Sequence, residues 1–252
     1  MRIAAHHTSE VGVRAGRIIL GERALLEMGV VDRDSKTTDT RIRRSDDLLG
    51  FDVVVTDDPE PAPMVERALR AGISCVLWVD GEDMIERYAD DFAHIERTLL
   101  VGANLAAGLA PSLAMHESLG KEEVLEVSVG WTEPGRALRR GEPLAFPDPV
   151  GGKWATEREP RSGFRSYAAP TGGEWAGAIA KVTLATPAGV ATRIVGVADL
   201  AVHLEALAMA AGAITIGAYG SGGQTPVAAA DRYLDAMIAA GLDVATHTMT
   251  ES

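Results

Sequence analysis

The 252-residue sequence contains little of several features that would define its class. It has a single cysteine, Cys75, so no disulfide can form within the chain, and a reducing compartment is expected. No stretch approaches the ~18 apolar residues that cross a membrane, and the apolar run near residue 1 is too short for a signal peptide. We therefore expect a cytoplasmic protein without a membrane partner.

Basic residues are also scarce. The chain has 24 Lys and Arg against 36 Asp and Glu, which gives a net charge of −12 at pH 7. Such a surface repels the phosphate backbone of nucleic acids, so we expect no nucleic-acid partner. No His, Cys, Asp or Glu residues have metal-ligand spacing, and no GxSxG nucleophile motif occurs, so neither metal nor serine catalysis is indicated.

The first 120 residues alternate short apolar runs with stretches of helical periodicity. The apolar runs predict strands at residues 2–5, 29–32, 51–55, 73–79 and 98–101. Helical spacing predicts helices that include 11–28 and 61–71, whereas the polar, basic segment 33–49 predicts a loop with at most one turn of helix. This alternation indicates an α/β fold with a doubly wound parallel sheet.

The pattern changes near residue 121. Alternating runs at 124–131, 178–185 and 190–199 predict a C-terminal α+β domain with a mixed or antiparallel sheet. The Pro- and Gly-rich stretch 132–173 predicts a long loop, either a lid or disordered. A GSGG segment at 220–223 predicts a turn between two helices, with an anion-binding loop as the alternative. We therefore predict two domains, 1–120 and 121–252.

The first strand–helix turn reads HHTSEVGVRAG, from His6 to Gly16. Glycines in this turn of a doubly wound sheet allow the backbone to approach a pyrophosphate. Of the usual GxGxxG pattern only Gly12 and Gly16 remain, and Glu10 places a negative charge near the phosphate position. The two glycines therefore indicate either a dinucleotide site or close packing of helix against sheet.

Asp32 ends the second predicted strand, 20 residues after Gly12. This is the separation at which an acidic residue meets the adenine ribose, although an Asp at a strand end is also a common turn former. Arg33 follows and would suit a ribose 2′-phosphate, so the sequence does not choose between NAD and NADP.

Three segments together resemble the dihydrodipicolinate reductase-like NAD(P)-dependent dehydrogenases. They are MRIAAH at the start, FDVVV before a Pro-rich helix, and VGANLAAGLAPSLAMHESLG at 101–120, where Asn104 and Gly108 match the family's Asn-x-x-x-Gly turn. The later DLAVHLEALAMAAGAITIG is similar to the family's closing helix. The resemblance implies an N-terminal Rossmann-like dinucleotide-binding domain, followed by a C-terminal domain that forms the substrate site and the oligomer.

The chain departs from this family after the first strand of the second domain. The reductases have a His-His pair there, and a Lys followed by a Pro-Ser-Gly-Thr loop that binds an anion. This sequence instead reads VGWTEPGR from Val129 to Arg136. Reduction of dihydrodipicolinate itself is therefore not expected.

The resemblance implies an oxidoreductase that uses NAD or NADP and acts on a small anionic substrate. On this interpretation Glu133 and Lys153 are the acid–base candidates. The cofactor-binding candidates lie in loops at the carboxyl ends of strands: His7, Thr8, Gly12, Gly16, Asp32, Asp57 and Asn104. The alternative, favoured by the degraded glycine motif, is a non-catalytic ligand-binding or assembly protein on a degenerate Rossmann fold.

The predicted helix at 200–213 is almost wholly apolar, so it requires burial on nearly all sides. We expect a homo-oligomer through the C-terminal domain, in which Ala206, Ala210 and Ala211 face a symmetry mate. Burial of the helix within one chain is the alternative.

Overall fold

The computed structural model describes residues 1–31, 39–118, 123–187 and 189–251. The described strands are β1 (Arg2–His6), β2 (Glu27–Val31), β3 (Ile42–Ser45), β4 (Val53–Thr56), β5 (Ser74–Leu77), β6 (Thr98–Leu100), β7 (Val124–Pro134), β8 (Glu142–Ala145), β9 (Gly152–Arg161), β10 (Phe164–Thr171), β11 (Trp175–Thr186), β12 (Gly189–Leu200), β13 (Gly222–Gln224) and β14 (Ala245–Glu251). The described α-helices are α1 (Glu10–Leu20), α2 (Ala62–Ala71), α3 (Glu82–His94), α4 (Ala110–Ser118), α5 (Ala201–Ile214) and α6 (Ala230–Ala239).

The chain forms two compact units. The first contains Met1–Asn104 and Glu205–Ala240, and the second contains Leu105–Leu204 and Gly241–Ser252. The two units therefore differ from the predicted domains 1–120 and 121–252, because the chain returns to the first unit at Glu205 and adds β13 to its sheet.

The first unit is built on a parallel sheet with the strand order β13-β6-β5-β4-β1-β2-β3. From β3 to β6 this is the 3-2-1-4-5-6 order of a doubly wound dinucleotide-binding sheet. The direction of winding reverses between β1 and β4, and the carboxyl ends of these two strands therefore border the crevice where such sheets bind ligands.

The central strands are covered on both faces, as their continuous apolar runs predict. Val53 and Val76 pack in a cluster with side chains of α1 and α5, while Val54 and Leu77 pack in a second cluster with side chains of α2 and α3. All four side chains are fully buried. The predicted doubly wound parallel sheet is therefore confirmed.

Two predictions for the first unit are wrong. The helix predicted over 11–28 ends at Leu20, where the Gly21 amide bonds back to the carbonyl of Ile18, and β2 begins at Glu27. The segment 33–49, predicted as a loop, contains β3, which pairs in parallel with β2. This edge strand reads IRRS and has no apolar run to signal it.

The GSGG segment is also not a turn between two helices, because Gly222–Gln224 forms β13 against β6. A Cβ on Gly223 would lie 2.7 Å from the Ile85 side chain of α3, so glycine allows this strand to pack closely on the helix. The packing of β13 on α3 explains Gly222 and Gly223 without an anion site.

The apolar helix α5 is buried within a single chain. Ala206 and Ala210 are fully buried, and both pack with Ile3 and Val53 in the cluster on one face of the first sheet. Ala211 is also buried. The expectation that these alanines face a symmetry mate is therefore wrong, because the helix finds its apolar partners inside the fold.

The second unit contains a mixed sheet in the order β14-β12-β11-β7-β10-β9-β8. Strands β7 and β10 are parallel, and the other neighbours are antiparallel, which confirms the predicted mixed sheet. The prediction of a long loop over 132–173 is wrong, because β8, β9 and β10 lie there. Strand β9 is mostly exposed and carries charged side chains such as Glu157, Arg158 and Glu159, which hide its alternation.

Across the described residues, none of the helices is long and apolar enough to cross a membrane.

Candidate functional site

Asp57 lies at the carboxyl end of β4, where its carboxylate contacts the turn between β1 and α1. Its Oδ1 accepts hydrogen bonds from the Thr8 amide at 2.6 Å and the Thr8 hydroxyl at 3.1 Å. Its Oδ2 accepts from the Ser9 amide at 2.9 Å, the Ser9 hydroxyl at 2.6 Å and the Gly12 amide at 3.1 Å. We call the amides of Thr8, Ser9 and Gly12, together with the two hydroxyls, the anion cradle.

The anion cradle keeps Asp57 ionised. Burial raises the pKa of a carboxyl group, and Asp57 is only 1% exposed. The hydrogen bonds from Ser9 and Thr8 outweigh this burial, so the pKa of Asp57 lies below its ordinary value. The N-terminus of α1, at which the cradle lies, adds a favourable dipole. A buried negative charge therefore sits at the start of this helix.

Gly12 and Gly16 leave space that the side chains of Asp57 and His7 occupy. A Cβ on Gly12 would lie 2.5 Å from Oδ2 of Asp57 and 2.9 Å from Nδ1 of His7. A Cβ on Gly16 would lie 2.9 Å from Nε2 of His7, which is itself buried. The structure thus brings together five of the predicted cofactor residues: His7, Thr8, Gly12, Gly16 and Asp57.

Asn104 belongs to a second polar group, at the carboxyl ends of β5 and β6. Its Nδ2 donates to the carbonyl of Trp78 at 2.8 Å and to Oδ1 of Asp80 at 2.7 Å. The Trp78 indole donates in turn to Oε2 of Glu205 at 2.8 Å. We call Trp78, Asp80, Asn104 and Glu205 the β5–β6 cluster.

Sequence reasoning missed three members of the β5–β6 cluster. Trp78 lies within the strand predicted over 73–79 and Asp80 directly follows it, so a survey of the residues at the carboxyl end of each strand would have found both. Glu205 lies on α5, 127 residues from Trp78, and the sequence marks it only as one of two polar residues, with His203, in an almost wholly apolar helix.

The two acid–base candidates lie in the second unit. Glu133 is on β7 and forms an ion pair with Arg158 of β9, the strand that also carries Lys153. Strand β10 lies between β7 and β9 in the sheet, and no ion pair among the described residues joins Glu133 to Lys153. Asp32, the remaining cofactor candidate, lies outside the described residues.

No family model matches the chain, and no curated protein matches it. Solved structures do. A saccharopine dehydrogenase (L-Glu forming) from Saccharomyces cerevisiae aligns with a TM-score of 0.66 and 9% identity, over 99% of this chain and 100% of that one. A dipicolinate-bound dihydrodipicolinate reductase from Paenisporosarcina sp. TG-14 aligns with a TM-score of 0.54 and 10% identity, over 91% and 98%.

An engineered D-amino acid dehydrogenase bound to NADP+ also aligns, with a TM-score of 0.52 and 14% identity, over 95% of this chain and 98% of that one. At these identities the likeness establishes the fold. The chain has the fold of the dihydrodipicolinate reductase-like NAD(P)-dependent dehydrogenases, as its sequence motifs suggest.

The donor set of the anion cradle is suited to the pyrophosphate of a dinucleotide. In this fold class the pyrophosphate binds at the first strand–helix turn, through backbone N–H groups at the helix N-terminus. The cradle presents three such amides and two hydroxyls, and the carboxylate of Asp57 serves as a stand-in for the anion. The donors therefore suit an anion, and in this structure they bind the carboxylate of Asp57.

Proposed function

We propose that this protein is an NAD(P)-dependent oxidoreductase that acts on a small anionic substrate. The observation that carries the proposal is the alignment of more than nine-tenths of the chain with dehydrogenases and a reductase, across the residues of both units. The anion cradle at the expected pyrophosphate position supports it.

The first unit would hold the cofactor. The amides of Thr8, Ser9 and Gly12 would bind the pyrophosphate, and the dinucleotide would extend across the crevice between β1 and β4. The β5–β6 cluster, with Asn104, lies at the carboxyl ends of the strands in the second mononucleotide-binding half, which suits the nicotinamide end. Asp32 or Arg33 would meet the adenine ribose, and the cofactor would supply the hydride chemistry.

The second unit would hold the substrate. Basic side chains are concentrated along residues 136–158 of this acidic protein, which suits a small anion. Glu133 and Lys153 would act as acid–base residues, and Arg158 would position Glu133 through their ion pair. We also propose, from the family resemblance of the sequence, that this unit forms a homo-oligomer. A mass near 26.5 kDa by light scattering, persisting at high concentration, would refute the oligomer.

A second candidate function has one specific observation in its favour. Asp57 fills the anion cradle, so the same fold would serve a ligand-binding or assembly protein that no longer uses a dinucleotide.

Calorimetric titration with NADH and with NADPH distinguishes the two candidates. The oxidoreductase is expected to bind one of them with a dissociation constant of tens of micromolar, about −6 kcal/mol. Asp32→Ala should weaken NADH more than NADPH, because only NADH offers a free 2′-hydroxyl to the carboxylate. Asp90→Ala, an exposed change on α3, is the control. Binding of neither dinucleotide at millimolar concentration would favour the second candidate.

The catalytic assignment requires a separate test, with 2-oxo and amino dicarboxylic acids as a substrate panel. Oxidation or reduction of the nicotinamide is followed by absorbance. Lys153→Met and Glu133→Gln should each lower kcat by about 10²- to 10⁴-fold. Lys181→Met and Glu159→Gln change exposed residues of the same sheet and should leave kcat unchanged. If the control variants lowered kcat as much as Lys153→Met and Glu133→Gln, the assignment of Glu133 and Lys153 as acid–base residues would be contradicted.

A further inference from the structure

We propose that Asp57 is a built-in competitor for the dinucleotide: its carboxylate occupies the position that the pyrophosphate needs, so the cofactor binds only after Asp57 has left the anion cradle. This inference rests on the proposed dinucleotide-dependent function and adds a means by which the same site is regulated.

The first argument is that Asp57 engages every donor of the cradle. The three amides and two hydroxyls of the turn all donate to its carboxylate, at distances between 2.6 and 3.1 Å. The Thr8 hydroxyl also lies 3.2 Å from the Asp57 carbonyl. A phosphate oxygen requires the same N–H and O–H groups, so it can form these hydrogen bonds only at the expense of Asp57.

The second argument is steric and electrostatic. In the dinucleotide-binding motif a glycine allows the backbone to approach the pyrophosphate. Here the space beside Gly12 is filled, since a Cβ there would lie 2.5 Å from Oδ2 and 2.8 Å from Cγ of Asp57. A phosphate placed beside the ionised carboxylate would also meet a like charge in a buried setting, where repulsion is only weakly screened.

The third argument is that the backbone holds Asp57 in place. The preceding residue, Thr56, accepts a hydrogen bond from the Trp78 amide through its carbonyl and one from the Asp58 amide through its hydroxyl. Pro59 and Pro61 restrict the loop that follows. Rotation of the Asp57 side chain is therefore the simplest way to clear the cradle, and the β4 backbone need not move.

ADP is the probe, because it carries the pyrophosphate without the nicotinamide. Calorimetry compares the wild type with Asp57→Ala, and with Asp58→Ala as the adjacent control, whose carboxylate accepts a local hydrogen bond from the Glu60 amide. Asp57→Ala should bind ADP about 10-fold more tightly or better, and Asp58→Ala should match the wild type. Adenosine, which lacks phosphate, should bind all three proteins equally.

Asp57→Asn provides a second variant, because it removes the charge and keeps the shape if the alanine variant fails to fold. A third measurement needs no variant: in the wild type, NMR shifts of the Thr8, Ser9 and Gly12 amides and of the Asp57 carboxyl should all change when ADP is added. Bound ADP with an unchanged Asp57 carboxyl signal would overturn the proposal.

The remaining outcomes separate the competitor from the proposed function. Submicromolar binding of NADH or NADPH by the wild type, unchanged in both Asp57 variants, would overturn the competitor and leave the oxidoreductase. Tighter ADP binding by the variants, with NADH and NADPH binding no better than ADP, would support the competitor and count against the oxidoreductase. No gain in ADP affinity for either variant, or an equal gain for adenosine, would overturn the competitor.

Discussion

We expect the hydrogen bonds of Asp57 to make it a major determinant of stability in the first unit. Asp57→Asn keeps the size of the side chain but removes the charge, and it presents an NH₂ group to amides that donate. A net hydrogen bond to a charged group contributes about 1.5–3 kcal/mol, and five are affected here. The asparagine oxygen and water replace part of them, so we expect a loss of about 3 kcal/mol in the free energy of unfolding.

The pH dependence of this loss has a definite sign. The pKa of Asp57 is lowered in the folded state, so its contribution is fully present above the unfolded-state pKa of about 3.9. That contribution is lost as the pH falls through the folded-state pKa. The difference in stability between the wild type and Asp57→Asn should therefore be constant from neutral pH to about pH 5, and it should shrink below about pH 4.

Urea denaturation followed by circular dichroism measures the difference, at neutral pH and at several acidic pH values. For a chain of this size a loss of about 3 kcal/mol corresponds to a fall in Tm of about 6–12 °C. Asp58→Asn is the matched control, since Asp58 is adjacent and its carboxylate accepts one local hydrogen bond. A loss below about 1 kcal/mol, or one equal to that of Asp58→Asn, would refute the role given to the cradle.

Three further predictions concern the core of the first unit. Gly12→Ala should destabilise the fold by about 1–3 kcal/mol in the same urea assay, because its Cβ would collide with Asp57 and His7. Gly217→Ala is the control: a Cβ there meets nothing within 4 Å, so stability should change by less than about 0.5 kcal/mol. Cys75 is fully buried and burial raises the pKa of its thiol, so dithiobisnitrobenzoate should label it only after unfolding; rapid labelling of the native protein would contradict this. Ala210→Arg should prevent folding rather than dissociate subunits, because it places a charge in the buried apolar cluster that α5 forms with Ile3 and Val53. A folded, monomeric variant by size-exclusion chromatography would show this to be wrong.

The core of the first unit could be predicted because its strands are buried on both faces. Val53–Thr56 and Ser74–Leu77 are buried at every position, and only Thr56 and Ser74 are polar, so each strand appears in the sequence as a nearly continuous apolar run. The edge strand β3 has no such signal, since Arg43 and Arg44 are exposed and, among the described strands, β3 pairs with β2 alone. The apolar pattern therefore predicts which residues are buried, and it does not detect a strand that is exposed.

The same reason explains the error in the second unit. Strand β9 is exposed at most positions, and prolines and glycines lie between β8, β9 and β10, so the segment 132–173 has the composition of a loop. Its strands are held by pairing with residues distant in the sequence. Tyr167 of β10, for example, pairs with Gly130 of β7, across 37 residues, so short-range periodicity carries little information about it.

The candidate site shows what spacing can and cannot predict. The position of Asp57 at the carboxyl end of a central strand correctly places it beside the first turn, and the sequence also indicates a charge that opposes a pyrophosphate there. Sequence reasoning assigns that charge to Glu10, which is exposed in the structure, whereas the carboxylate within the cradle is Asp57, 45 residues beyond Gly12. The local motif indicates a negative charge at this turn through Glu10, whereas the parallel pairing of β1 with β4 is what brings the carboxylate of Asp57 to the cradle. On the proposal that Asp57 competes with the dinucleotide, cofactor binding by this chain begins with the release of Asp57 from the anion cradle.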